Sequence, residues 1–494
     1  MIRMRTIVLI IVYLLIILPG ATGSEPEKRL EGFDTFINNI IDSWNAPGMA
    51  VAIVENGEVI FKEGFGYRNV ENKLPVTPST LFAIASVSKA FTTTAIAMLV
   101  EDGLVEWDAP VIDYLPQFRM SDPYINQQIT VRDLVTHRSG LPRHDSVWLG
   151  TPFTREELVD KIKYLDFSRG LRETYQYNNL LYITAGRVIE AVSGTSWENF
   201  VNLRILRPLG MTATNFSVTD MQMANDFAHP YTIAGNGLTI APFRNVDALG
   251  PAGSINSNIS DMAQWLQFNL NRGIVMADTL LSSQQMGQLH SPWVVASRDA
   301  EDEELSFANY GLGWRISHYR GHRIVYHGGA IGAYRTHLML IPDSNIGIIS
   351  ITNYNRAQVN RIVAYNALER LLELDQVDWN TRLKERLSET RPSACHDSPQ
   401  LTHALNEYAG TYSHPAYGEF TIAHNRNRLT VTRYGATSNL ERCKFNMFRR
   451  ERGYWGAFSG GTEFTFLVNK EGRIDRVLIP LESSVDDIVF MRIE

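Results

Sequence analysis

The stretch ASVSKAFTTTAIAMLVEDG, residues 85–103, sets Ser86 three positions before Lys89. Behind them Phe91, Ala95, Met98 and Leu99 recur on one helical face, and Asp102-Gly103 supplies the glycine that closes a helix in the left-handed conformation. Residues three apart on a helix share a face, so Lys89 Nζ can lie beside Ser86 Oγ. A serine hydroxyl is a poor nucleophile until a neighbouring group takes its proton. A lysine can do so once desolvation or a nearby cation lowers its pKa from about 10.4. A serine at a helix start also presents its backbone N–H where a developing oxyanion would form. Of nine lysines in the chain, Lys89 alone has a serine three residues before it.

Outward from this segment, Met49 to Val54 and Val59 to Gly64 read as strands joined by Glu55-Asn56-Gly57, Asn-Gly being a strong hairpin signal. His337 to Ile341 and Ile346 to Thr352 form a second hairpin around Pro342-Asp343-Ser344-Asn345. From about Leu30 to Leu374 helical and strand signals mix without an internal repeat. Composition shifts near Asp375. Trp379 to Ser388 reads as a short polar helix, and Arg391 to Gln400 is rich in Pro, Ser and charge, as linkers are. From about Glu407 short strand-like runs alternate with Gly and Asn turns, among them Leu429 to Tyr434, Phe464 to Val468 and Ile474 to Ile479. That pattern predicts a small antiparallel β-barrel or sandwich.

Two further elements carry chemistry. Tyr177-Asn178-Asn179 offers a phenol that can relay protons and an amide that can bond both the lysine and a substrate carbonyl. Tyr124-Ile125-Asn126 matches the same tripeptide pattern. His327-Gly328-Gly329-Ala330 ends a strand-like run, and paired glycines there mark a close approach by a ligand or another backbone. Competing signals are missing: no Gly-x-Ser-x-Gly elbow, no His-Glu-x-x-His, no phosphate-binding loop and no dinucleotide fingerprint.

The 494 residues exceed one usual core, and 44% hydrophobic with 20% charged residues is ordinary for globular proteins. A net charge of −7 without a basic run excludes a nucleic-acid partner on electrostatic grounds. At the N-terminus, Arg3 and Arg5 precede the apolar Ile7 to Leu18, and Ala21-Thr22-Gly23 suits a cut before Ser24. This predicts a cleaved secretory signal and a secreted or periplasmic protein, without stable membrane insertion after cleavage; an uncleaved anchor is the alternative. Export permits a disulfide between Cys395 and Cys443, while two free thiols fit the sequence equally well.

In order, Ser-x-x-Lys, Tyr-x-Asn and His-x-Gly resemble the serine β-lactamase and penicillin-binding-protein superfamily, in its class C β-lactamase, esterase and D-aminopeptidase branch. The connecting text agrees: PVTPSTLFAIASVSKAFTTT (75–94), ITVRDLVTHRSGLP (129–142), YQYNNLLYITAG (175–186), GPAGSINSNISDMAQWL (250–266), YGLGW (310–314) and HGGAIGAYRTHLMLIPDSNIGIISITN (327–353). The resemblance implies an α+β fold: an antiparallel sheet flanked by helices, plus an all-helical region. A small C-terminal antiparallel β-barrel resembling a lipocalin-like domain follows. The expected boundaries are 1–23 signal, 24–374 hydrolase, 375–404 linker and 405–494 β-domain.

The same resemblance makes Ser86 the acylated nucleophile, with Lys89 and Tyr177 sharing general-base and proton-return roles. Asn179 would orient Lys89 and the substrate, the N–H groups of Ser86 and Ala330 would form the oxyanion hole, and His327, Gly328 and Gly329 would line the substrate edge. No cofactor or metal is expected. The expected partner is a small-molecule or peptide substrate, with oligomeric state left open. Relatives of the β-lactamase and carboxypeptidase kind carry lysine where His327 stands, and histidine is largely neutral above about pH 6.5. Cleavage of D-amino-acid peptides, amides or esters therefore ranks above β-lactam or D-Ala-D-Ala hydrolysis. Arg335 would restore a cation if it reaches the cleft. A binding protein without catalysis is the reading from another class.

Overall fold

The computed structural model describes residues 28–234, 237–276, 278–388, 401–450 and 463–493, so the expected signal at 1–23 lies outside them. Nine strands form one antiparallel sheet: β1 (Gly48–Glu55), β2 (Glu58–Asn69), β3 (Leu74–Pro75), β4 (Val294–Ser297), β5 (Ala308–Tyr310), β6 (Arg315–Tyr319), β7 (His322–Ile331), β8 (Tyr334–Ile341) and β9 (Ile346–Thr352). Their order across the sheet is β4-β5-β6-β7-β8-β9-β1-β2-β3. The expected hairpin at Asn56-Gly57 is present, with Glu55 opposite Glu58 and both turn residues at positive φ (52° and 83°).

Strand β1 shows why the sheet is sandwiched. All eight residues are buried. Met49, Val51 and Ile53 join a core with Phe33, Ile37 and Ile41 of helix α1 (Phe33–Trp44) and with Val359 and Val363 of a later helix, Ala357–Leu371. Ala50, Ala52 and Val54 join the opposite core, built with the helical region. Successive side chains of a strand point to opposite faces, so one apolar run serves two layers.

The helix after Ser86 is α2 (Ser88–Glu101), entered through a 3-10 turn at Ala85–Val87. The sequence places its apolar residues on one face, yet every residue from Ser88 to Leu99 is buried. A helix covered all round is the centre of its layer. Thr92 and Thr93 satisfy this burial by bonding backbone carbonyls at Pro251 and Leu312.

Trp379–Ser388 is helical. Beyond it a closed antiparallel barrel runs through β10 (Gly410–His414), β11 (Gly418–Asn425), β12 (Arg428–Arg433), β13 (Ala436–Lys444), β14 (Met447–Arg450), β15 (Glu463–Val468), β16 (Ile474–Ile479) and β17 (Ile488–Arg492), with β17 closing on β10. Its interior is filled by aromatic rings, including Tyr412, Phe420, Phe448, Phe464, Phe466 and Phe490, as eight-stranded barrels allow. Cys443 on β13 is disulfide-bonded; the sequence holds one other cysteine, Cys395, outside the described residues.

Candidate active site

Ser86 sits in the turn that feeds α2, half-exposed between buried neighbours. Ala85 before it takes φ 50°, a conformation costing an L-residue about 1–2 kcal/mol. The strained turn is pinned: Ser88 Oγ donates to the Ala85 carbonyl at 2.7 Å and accepts from Ile255 N–H at 3.2 Å. Strand β7 also packs on this turn. A Cβ on Gly329 would stand 2.2 Å from the Ile84 carbonyl oxygen, so only glycine permits the approach. Gly329→Ala is expected to lower the thermal unfolding midpoint, since such overpacking costs about 1–3 kcal/mol. A midpoint equal to wild type in scanning calorimetry would show that the contact constrains nothing.

Lys89, fully buried, lies 3.2 Å from Ser86 Oγ through Nζ. The same nitrogen reaches Asn179 Oδ1 at 2.8 Å and the Ala252 carbonyl at 2.7 Å. Tyr177 donates its hydroxyl to Ser86 Oγ at 2.9 Å. Asn178 brings Tyr177 and Asn179 to this point by capping the helix Asn179–Ser193 through its side chain. Its backbone N–H donates to His137 Nδ1 at 3.0 Å, beneath the Tyr177 ring. Tyr124, of the competing tripeptide, is 68% exposed.

Burial, reinforced by the Arg143 cation, holds the Lys89 amine well below its usual pKa, and Asp145 pulls the other way. Burial pushes the Tyr177 phenol up, despite its hydrogen bond to Ser86. One group is thus driven toward a neutral amine and the other kept as a neutral phenol.

His327, expected on the substrate edge, is buried instead. Side chains alternate along β7, so His327 and Gly329 are buried whereas Gly328 and Ala330 are exposed. His327 Nδ1 lies 2.7 Å from the Gly328 carbonyl, which can only accept, so Nε2 takes the proton of Tyr310 hydroxyl at 3.0 Å. Burial lowers its pKa to about 3, leaving a neutral imidazole that braces the strand.

The cleft over Ser86, about 270 Å³, is lined by Asn179, Ala330, Arg143, Asp145, Arg244 and Arg335, among others. Arg335, on β8, is among these lining residues, and its Nη1 donates to the Gly332 and Tyr334 carbonyls at 3.0 and 2.7 Å. Sequence reasoning missed Arg143, Asp145 and Arg244. Arg143 stacks its guanidinium 4.8 Å from the Tyr177 ring centre and pairs with Asp145 at 2.7 Å. Asp145 Oδ1 accepts from Asn179 Nδ2 at 3.0 Å and Trp148 Nε1 at 2.8 Å. That carboxylate fixes the Asn179 amide with its oxygen toward Lys89. Among the described residues no cluster of His, Cys, Asp and Glu is arranged to hold a metal ion, and no helix is long and apolar enough to cross a membrane.

Residues 33–372 match the family described as Beta-lactamase, and residues 397–492 match a domain of unknown function, DUF3471. The chain is 30% identical over 438 residues to an unguisins hydrolase from Aspergillus campestris, covering 83% of this chain and 80% of that one. Among solved structures it is similar to an octameric penicillin-binding protein homologue from Pyrococcus abyssi, at 25% identity and TM-score 0.63, over 93% of this chain and 99% of that one. A D-amino acid amidase from Ochrobactrum anthropi SV3 has the same fold at 21% identity and TM-score 0.59, over 70% and 99% of the two chains.

Proposed function

Because the chain belongs to the beta-lactamase family, we propose that it is a serine hydrolase that cleaves amides or peptides, with esters as further substrates, through an acyl-enzyme on Ser86. The observation that carries this reading is the convergence of Lys89 Nζ (3.2 Å) and Tyr177 hydroxyl (2.9 Å) on one Ser86 oxygen at the floor of an open cleft.

Lys89 is the first base. A neutral amine has two N–H donors and one lone pair. The two acceptors at 2.7 and 2.8 Å, Ala252 carbonyl and Asn179 Oδ1, take the donors, and the lone pair is left for Ser86 Oγ at 3.2 Å. Ser86 gives its proton to Nζ as Oγ attacks the carbonyl carbon, and the oxyanion is met by backbone N–H groups of Ser86 and Ala330. The leaving nitrogen takes a proton from the Lys89–Tyr177 pair. Water then attacks the acyl carbon with the same pair as base, and Ser86 is released.

The relative named as an unguisins hydrolase supports hydrolysis, and the D-amino acid amidase that shares the fold is the reason amides are placed ahead of esters. The arginines in the cleft favour a second reading, a carboxypeptidase or weak β-lactamase, because Arg244 and Arg335 offer a substrate carboxylate the cation that His327 does not. The disulfide at Cys443 agrees with an exported protein. Incubation with a fluorophosphonate, followed by mass spectrometry, is expected to find the adduct on Ser86. Absence of both adduct and turnover across D-aminoacyl amides, peptides, esters and nitrocefin would leave a binding protein.

The site also dictates the pH profile. Activity requires the neutral amine, so the rate rises with pH through the Lys89 pKa. Arg143 depresses that pKa and Asp145 raises it. Arg143→Gln should move the acid limb of kcat/KM to higher pH, and Asp145→Asn should move it lower. Limbs that stay fixed in both variants would remove Lys89 from the role of base.

A further inference from the structure

The loop that carries Arg143 and Asp145 is held from below by the C-terminal barrel. Between those two residues stands His144, buried, at φ 46°. Its backbone N–H donates to Glu482 Oε2 at 3.0 Å, and Glu482 belongs to the segment between β16 and β17. Its ring is gripped on both nitrogens. The Asp166 carbonyl lies 2.9 Å from Nε2 and can only accept, so Nε2 carries the hydrogen and Nδ1 accepts from Tyr417 hydroxyl at 2.6 Å. Tyr417 lies in the turn between β10 and β11. Arg433, at the end of β12 and 1% exposed, donates to the Ser146 carbonyl at 3.1 Å and also to the Tyr417 carbonyl. Three separate barrel segments thus converge on residues 144–146.

The grip continues upward without a break. From His144 the chain turns into Asp145, which orients Asn179, whose oxygen holds Lys89. Arg143, on the other side, pairs with Asp145 and covers Tyr177. Among the described residues no part of the barrel lines the cleft over Ser86, so its influence on the chemistry is indirect, and this loop offers it a route. Resting on the Ser86 reading above, we propose that the C-terminal barrel is a working part of the hydrolytic site, its Tyr417 and Glu482 acting as positioning residues that set Asp145 against Asn179 through His144.

The test separates the loop from the chemistry. Hydrogen exchange of residues 142–149 is compared in wild type, Tyr417→Phe and Glu482→Ala, all in the full chain, alongside the rate of Ser86 labelling by a fluorophosphonate. Faster exchange in the variants, with labelling slowed about 10-fold, is expected. Asp145→Ala should slow labelling by a similar factor, and Tyr417→Phe added to it should cost less than 2-fold more. A purely structural role would multiply the two losses to about 100-fold, which overturns the proposal, as does unchanged exchange in both variants. Two variants guard against one that misfolds, read from a cooperative thermal transition. Should wild-type Ser86 fail to label, the hydrolase reading falls and the proposal with it. Wild-type labelling that is unmoved by an opened loop overturns the barrel's role alone.

Discussion

Lys89→Ala is expected to slow acylation of Ser86 by about 100- to 10,000-fold, the range general-base catalysis contributes. The amine is the one group beside Ser86 Oγ that burial and a cation drive toward its neutral, proton-accepting form. Losing it also orphans Asn179 Oδ1 and the Ala252 carbonyl, so the thermal midpoint should fall as well. The pH profile separates the two effects. If Lys89 is the base, the acid limb disappears in the variant, leaving a slow, flatter rate. Single-turnover labelling across pH 5 to 10 measures this, and a surviving limb at the wild-type position would show that another group takes the proton.

Tyr177→Phe is the second large effect, a loss of at least about 100-fold in turnover. The hydroxyl lies 2.9 Å from Ser86 Oγ, and burial keeps it protonated. In the proposed mechanism it therefore acts as donor, returning protons to the leaving group. The ring itself packs on His137 and under Arg143, and phenylalanine preserves both contacts. The acid limb should remain where it is, because Lys89 sets it. A limb lost in Tyr177→Phe and kept in Lys89→Ala would exchange the two roles. Wild-type turnover in both would refute both.

How far the sequence speaks depends on the range of the contact. Ser86 and Lys89 were legible because three positions along a helix start force the meeting. The Asn56-Gly57 hairpin was legible because two residues suffice to turn the chain. Tyr177 and Tyr124 share a tripeptide, and only the text around Tyr177 tells them apart; in the fold Tyr177 is half-buried against Ser86 whereas Tyr124 stands exposed. The order of motifs puts His327 on the substrate edge because it gives a strand's position and not its parity. Gly329 facing the Ile84 carbonyl puts His327 on the buried side of the same strand. Arg143 and Asp145 lie in a loop without periodicity. Their one signal was a charged Arg-His-Asp cluster directly after the ITVRDLVTHRSGLP segment, between Pro142 and Val147. The barrel's alternation was readable strand by strand, whereas its grip on residues 144–146 joins positions nearly 340 apart, 144 and 482 being the extreme.

Strand β1 has a local neighbour in β2 and a remote one in β9, where Met49 stands opposite Thr352. A ribosome adding about 5–20 residues each second needs roughly 15–60 s to deliver that second partner after the first is made. Throughout that interval a strand of eight apolar-rich residues has a bare edge, the kind of edge that invites pairing with other chains. Synthesis of this protein therefore leaves its first strand open to whatever binds nascent chains, and assembly of the sheet is an event that waits for the far end of the domain.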